Sequence, residues 1–391
     1  MTASDQPAAA AKPSTQPLLG ATIGDNPVRL WGMNSAERLR RELVRNGVPE
    51  VRAWDGDARG NAHILLRTDF VFDEVLVRDL IQAPDTILID PTSGEPVAAH
   101  CEAGDTAAVA TMLSESRVVP AALSARLRVI GPGDLSSTYN HQLRKRENPF
   151  LLRLTREALP AIEKRMFAGS YKGVTDIITK YVWPVPARHV TKWCSLAGLS
   201  PNMVTSIGAI LMLLALYLFA QGQYLPGLAA AWVMTFLDTV DGKLARVTLT
   251  SSKWGNIFDH GIDLVHPPFW WWAWLAGLSV AGFTMPGGEG WVLAVIWAGY
   301  VSQRLQEGYF LSRFKIDMHT WRPFDSFFRL ITARRNPNLV VLTIATLLGR
   351  PDIGMLLVAI WIVLCFLVHM AQIIQAERAQ ARGPIRSYLS A

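Results

Sequence analysis

The chain has 391 residues, half of them hydrophobic and 18% charged, with a formal net charge of +6. That length allows two domains, and the excess of cations suits an anionic leaflet; no nucleic-acid module accompanies it, which argues against that class of partner. Cys101, Cys194 and Cys365 are scattered without a CxxC pair, which argues against a disulfide framework and fits a cytoplasmic face.

In chain order, residues 1–17, "MTASDQPAAAAKPSTQP", lack the apolar core of a signal peptide and read as a flexible tail. Residues 18–150 read as a small cytosolic α/β domain. "SAERLRRELVRNGV" has apolar residues at helical spacing, a cap at Ser35 and a stop at Gly47. The runs "VRAW", "AHILLRTD", "TILIDP" and "PVAAH" read as strands, with the helix "DEVLVRDLIQ" between two of them, which predicts a mainly parallel sheet. Residues 151–202 form a charged connector and an amphipathic, partly basic approach to a membrane, broken by Pro184, Pro186 and Pro201.

Six apolar segments follow at about 203–221, 226–246, 256–282, 290–312, 336–349 and 353–375, against the roughly 20 residues a span requires. The fold expected is therefore a six-helix integral membrane domain over 203–377, preceded by the α/β domain and followed by a cytosolic tail at 378–391. The turns on one side carry only Arg350, whereas the other side holds Lys243, Arg246, Lys253, Arg313, Lys315, Arg322, Arg329, Arg334 and Arg335. The positive-inside rule puts that second side, with both termini, in the cytoplasm of an inner membrane. "HPPFWWWAW" bends the third span at Pro267 and Pro268 and then supplies a Trp belt.

Asp238, Asp241, Asp259 and Asp263 lie near the cytoplasmic ends of the second and third spans. On helices, Asp238 and Asp241 share a face, as do Asp259 and Asp263. Two unit charges 4 Å apart repel by about 4 kcal/mol at an effective dielectric of 20. Four carboxylates therefore call for one or two divalent cations with oxygen ligands, of which Mg²⁺ is the natural choice because it shares its shell with substrate phosphates. The alternative at this stage is the polar helix pair of a transporter or ion site.

The spacing Asp238-x2-Asp241-Gly242-x2-Ala245-Arg246-x8-Gly255-x3-Asp259-x3-Asp263 resembles, without a gap or substitution, the signature of the CDP-alcohol phosphotransferase family. The resemblance extends over about residues 165–375 and includes a "PNxVT"-type entry at Pro201, Asn202, Val204 and Thr205. It implies transfer of a phosphoalcohol group, phosphatidyl in a lipid-making member, from a CDP-alcohol such as CDP-diacylglycerol to an acceptor hydroxyl, with release of CMP. It implies two Mg²⁺ or Mn²⁺ ions held by Asp238, Asp241 and Asp259, with Asp263 as general base and a possible further metal contact. It also implies nucleotide contacts at Thr205, Gly242, Ala245, Arg246 and Gly255, and a homodimer in the bilayer.

Arg304, Arg313, Arg334 and Arg335 are candidates for an acceptor phosphate, such as that of inositol phosphate, because Arg suits bidentate phosphate recognition; positive-inside anchoring or pairing with Glu307 is the plainer reading. Lys172, Thr175 and Asp176 in "SYKGVTD" could line the site entrance or cap the juxtamembrane helix. The N-terminal domain weakly resembles the nucleotidyltransferase-like domain of two-domain members, but Gly20, Gly24 and Gly32 make no phosphate-cradling loop. With Asp69 as its one candidate for the strand-end metal position of that fold, it reads as an inactive scaffold. Two rival functions remain: synthesis of an inositol phosphodiester solute from CDP-inositol, and carboxylate-based transport, which internal symmetry would mark.

Overall fold

The computed structural model describes residues 17–115, 118–137, 139–140, 143–251 and 253–390, and gives the backbone alone at Lys253, Trp254, Asn256, Asp259 and His260. The tail expected over 1–17 thus lies, except for Pro17, outside the described residues. The chain divides into two units, residues 1–138 with 148–162, and residues 139–147 with 163–391. The stretch 139–147 therefore goes with the helical unit, not with the α/β domain in which the sequence reading put it.

In the first unit, β1 (Leu19–Ile23), α1 (Ser35–Arg45), β2 (Val51–Ala53), β3 (His63–Arg67), β4 (Phe70–Phe72), α2 (Glu74–Ile81), β5 (Thr86–Ile89), β6 (Pro96–Cys101), α3 (Thr106–Glu115), β7 (Arg128–Ile130) and β8 (Leu151–Arg153) are the principal elements. Six strands form one sheet in the order β2-β1-β3-β6-β5-β7. Alternation decides its two faces: Ile64 and Leu66 pack with Leu39 and Leu43 of α1, while Leu65 packs with Val109 and Leu113 of α3. The sheet is mainly parallel, as expected, with one reversed strand: β6 runs antiparallel to both β3 and β5, while the other five strands share one direction. The reason is local. In the turn 90–95 the Asp90 carboxylate accepts from the Thr92 and Ser93 amides, and the left-handed Gly94 (φ 73°) donates its amide to the Asp90 carbonyl at 2.8 Å. That is a hairpin, too short for the crossover a parallel pair requires. The α1 cap is also displaced by one residue: Asn34, not Ser35, accepts the Glu37 amide at 2.7 Å.

The second unit contains α4 (Pro184–Leu196), α5 (Pro201–Ala220), α6 (Tyr224–Val247), α7 (Lys253–Val280), α8 (Glu289–Phe314), α9 (Pro323–Phe328), α10 (Arg335–Leu347) and α11 (Pro351–Gln380). Six of them, α5 to α8 with α10 and α11, coincide with the six apolar segments. Among the described residues, α5 and α11 are long and apolar enough by composition alone to cross a membrane, with mean hydropathy 2.3 and 2.7. Helix α10 has 13 residues, about 20 Å of rise against a hydrocarbon core of about 30 Å.

The helices pack around aromatic and aliphatic side chains including Phe219, Trp270, Trp271, Trp274, Ile296 and Val358. This overturns the Trp belt. Trp270, Trp271 and Trp274 are fully buried on one face of α7, and only Trp272, 46% exposed, faces outward from that run. Burial is tolerable because their indole groups find carbonyls, Trp270 at Met212 (3.0 Å) and Trp274 at Pro351 (3.2 Å). Helix α7 continues through Pro267 and Pro268. A proline at 268 cannot donate to the Leu264 carbonyl, and the Tyr300 hydroxyl of α8 donates to it instead at 2.7 Å. At the far end of α7, Gly277 lets α5 come close: a Cβ there would lie 2.0 Å from the Phe219 carbonyl oxygen.

Candidate active site

The antiparallel pair α6 and α7 carries the carboxylates, and α10 answers them. Arg335, the first residue of α10, forks between two: Nη2 donates to Asp238 Oδ2 at 2.5 Å and Nη1 donates to Asp263 Oδ1. Asp238 and Asp263 come from different helices, so the guanidinium closes the junction of α6, α7 and α10. Asp241, one turn on from Asp238, is buried at 3% exposure. Its Oδ2 accepts from the Thr205 hydroxyl of α5 at 2.5 Å, while its Oδ1 has no hydrogen-bond partner. A buried, unpartnered carboxylate oxygen costs about 1–3 kcal/mol or more for a charged group. The acidic corner therefore suits a cation: one oxygen awaits a positive partner, and the other two carboxylates already share one.

Asp259 lies on α7, but its side chain is outside the described residues. Among the described residues, no three Asp, Glu, His or Cys groups converge as a finished metal shell. The Arg335 guanidinium instead links the two carboxylates that face the cavity, Asp238 and Asp263.

Asp238 and Asp263 open into a cavity of about 620 Å³. Its floor beside Asp238 is Gly242, where an added Cβ would meet the folded-back Arg246 guanidinium at 3.2 Å, so only a hydrogen leaves that space clear. Ala245 and Arg246 complete this wall. The opposite wall is cationic. Arg304, Arg329 and Arg334 line it around Glu307, which pairs with Arg304 at 3.2 Å and with Arg334, and lies 3.4 Å from His319 Nε2; Asp176 and Asp317 line the same cavity. Three guanidinium donors stay unused in this wall: Arg304 Nε, Arg334 Nε and Arg329 Nη1. Burial, then the neighbouring Arg334, pushes Arg329 below the ordinary guanidinium range, and burial likewise lowers His319. An anion placed here would meet aimed, incompletely paired donors.

The structure thus brings Asp238, Asp263, Gly242, Ala245, Arg246, Arg304, Arg334 and Arg335 to one cavity. It places Thr205 on Asp241 instead of on the cavity wall. Arg313 does not join the others: it faces away and pairs with Glu377 at 3.2 Å, held by Tyr309 on the same carboxylate. Asp176 lines the cavity but is spent on local structure, accepting from the Ile178 and Thr179 amides and from Asn336. Sequence reasoning counted Arg329 and Lys243 only as positive-inside charges and gave neither a place in the site. Lys243 is buried, donates to the Ser170 carbonyl at 3.1 Å and stands 3.4 Å over the Tyr171 ring, which pins the "SYKG" segment to α6. A Lys directly after the Asp-Gly pair, inside an apolar segment, was the available signal.

Residues 199–333 match the family model described as CDP-alcohol phosphatidyltransferase. Curated relatives include archaetidylinositol phosphate synthase of Pyrococcus horikoshii, 43% identical over 79 residues, which are 20% of this chain and 42% of that one. Bifunctional IPC transferase and DIPP synthase of Rubrobacter xylanophilus is 31% identical over 160 residues, 40% of this chain and 33% of that one. Cholinephosphotransferase 1 of Danio rerio is 26% identical over 122 residues, 28% of this chain and 31% of that one. The chain therefore spans less than half the length of these relatives. The family match leaves the α/β unit untouched but takes in α6 and α7 whole, so the stretch that builds the acidic half of the cavity is the one that matches the CDP-alcohol phosphatidyltransferase family.

Proposed function

We propose that the chain is an integral membrane CDP-alcohol phosphotransferase that moves a phosphatidyl group from a donor such as CDP-diacylglycerol to the hydroxyl of a polar, phosphate-bearing alcohol, releasing CMP. The observation that carries this reading is a single cavity with carboxylates at one wall and three arginines at the other. A pyrophosphate donor needs cationic help at the carboxylates, and a phosphorylated acceptor needs the arginines. Six helices crossing the bilayer, with this cavity at the cytoplasmic side, complete the proposal; a homodimer is part of it.

The family is generally dependent on divalent metal. Asp238, Asp241 and Asp259 would hold Mg²⁺ or Mn²⁺, two ions in this reading, which would supply charge neutralisation for the departing CMP phosphate. The chain's own groups do the rest. Gly242, Ala245 and Gly255 leave room for the cytidine diphosphate, and Arg246 contacts its phosphates. Arg304, Arg329 and Arg334 hold the acceptor's phosphate and so aim its hydroxyl toward Asp263. That carboxylate takes the hydroxyl proton as attack begins. Arg335 orients Asp238 and Asp263 from α10, a role distinct from the acceptor contact first expected of it.

The N-terminal unit fits an inactive scaffold: Asp69, its strand-end acid, is bound bidentately by Arg67, with bonds of 3.0 and 2.7 Å. The solute reading, transfer from CDP-inositol to inositol phosphate, draws support from the Rubrobacter relative, whose name pairs two such activities. One experiment tests both: CMP release by purified protein with Mg²⁺, offering CDP-diacylglycerol and CDP-inositol in turn against a panel of acceptors. Acceptor-dependent CMP from CDP-diacylglycerol bears out the lipid reading, and from CDP-inositol alone the solute reading. CMP from neither donor, in protein that still binds metal, sinks both.

A further inference from the structure

The segment before and within α4 leaves large apolar side chains in the open. Tyr181, Val185, Trp193 and Leu196 are each more than 60% exposed. Beside them lies a second cavity, of about 500 Å³, whose walls gather Lys145, Arg146, Lys164, Lys172, Lys180 and Arg188 against a single acid, Glu147. Glu147 is already shared by Lys145 and Arg165, so it offsets little of that charge. Among the described residues, Lys164, Lys180 and Arg188 make no ion pair. Phe167, Pro184 and Val185 give the same groove an apolar lining. A free anion would have no use for that lining, and a neutral amphiphile none for the six cations.

We propose that this groove binds the headgroup of an anionic phospholipid of the surrounding bilayer, at a site separate from the reaction cavity. The proposal rests on the reading that this unit lies in a bilayer. The lipid phosphate sits among Lys164, Lys180 and Arg188, and its glycerol and first methylenes lie along Val185 and Pro184. Charge complementarity and the adjoining row of exposed apolar residues both favour this occupant over soluble phosphate. The site has a physical link to the reaction cavity, because Tyr171 and Lys172 belong to both walls. Lys243 clamps that strip from the other side through Ser170 and the Tyr171 ring. Lipid in the groove therefore bears on the strip held against α6 by Lys243, next to the Gly242–Arg246 wall given to the donor.

The test uses the full-length protein in nanodiscs of phosphatidylcholine with about one-fifth phosphatidylglycerol, followed by native mass spectrometry of the lipids retained. The wild type should enrich phosphatidylglycerol over phosphatidylcholine. The triple variant Lys164→Ala/Lys180→Ala/Arg188→Ala should lose that enrichment by roughly tenfold or more, since each cation near an anionic surface contributes separately. Arg382→Ala/Arg386→Ala, which removes exposed cations elsewhere, should keep it, and Val185→Asp should lose it while all six cations remain. Matching thermal midpoints establish that the variants fold. Equal enrichment in the triple variant and wild type overturns the proposal, as does complete displacement of the lipid by inorganic phosphate alone. Retention of no lipid of either kind would overturn the bilayer reading, and the proposal with it.

Discussion

At the scale of single residues, roles divide by what each side chain touches. Among the described carboxylates of the cluster, Asp263, open to the cavity and 42% exposed at its side chain, is the most accessible. Asp263→Asn should lower CMP release by about 10²–10⁴-fold, the usual worth of a positioned general base, with metal binding and thermal midpoint retained. Arg329 differs in what it should change. Arg329→Met removes an aimed donor from the basic wall, so the acceptor KM should rise by roughly tenfold or more while the donor KM stays put. An equal rise in both would move Arg329 out of the acceptor pocket. The acids of this site were legible because their spacing alone fixes a shared helix face. Arg329 was not: nothing in the sequence separates it from Arg313 or Arg322, and only the fold turns one inward and leaves Arg313 on Glu377.

At the scale of elements, close approach sets the tolerances. Gly277→Val would force α5 and α7 apart, because the new Cβ alone falls 2.0 Å from the Phe219 carbonyl. Destabilisation of about 2–4 kcal/mol is expected from overpacking of that kind, read as a lower thermal midpoint in detergent. In the N-terminal unit, Glu42 of α1 is buried 2.9 Å from Arg38, and burial pushes its carboxyl up to about 7. The folded state therefore holds a proton that the unfolded chain has released above about 4.5. Its contribution to stability is full below that value and is lost as pH rises through about 7. Glu42→Gln should abolish that loss, so its advantage over wild type should grow between pH 5 and pH 8 in thermal unfolding of the full chain. A constant difference would remove Glu42 as the cause. Elements were readable where hydropathy changes sharply, as at the six apolar segments. They were misread where composition is silent on partners: Trp270 and Trp272 are the same residue type two positions apart, yet one is core and the other exposed. The mainly parallel sheet was readable, and only the reversal of β6 was not, because it depends on one tight turn at Asp90 that a list of apolar runs does not contain.

At the scale of the whole molecule, two units of different character share one chain. Carbonate washing should leave the protein with the membrane fraction, whereas release into the supernatant would remove the six-span reading. Chelation followed by stepwise return of Mg²⁺ should switch CMP release off and on, and should raise the thermal midpoint more in Arg335→Met than in wild type, since that variant leaves Asp238 and Asp263 without their fork. The fork also bears on how the molecule is made. Asp238 and Asp263 leave the ribosome some seventy or more positions ahead of Arg335, so in the six-span proposal α6 and α7 would enter the bilayer before their counter-charge exists. A nascent chain halted short of Arg335 would hold those carboxylates at the membrane with nothing to answer them, and its α6–α7 hairpin would remain loosely seated or wait at the insertion machinery. Once α10 arrives, one guanidinium is shared by the pair, and their mutual repulsion is offset from within the chain. On that proposal, the helices could settle before the finished protein binds any cation.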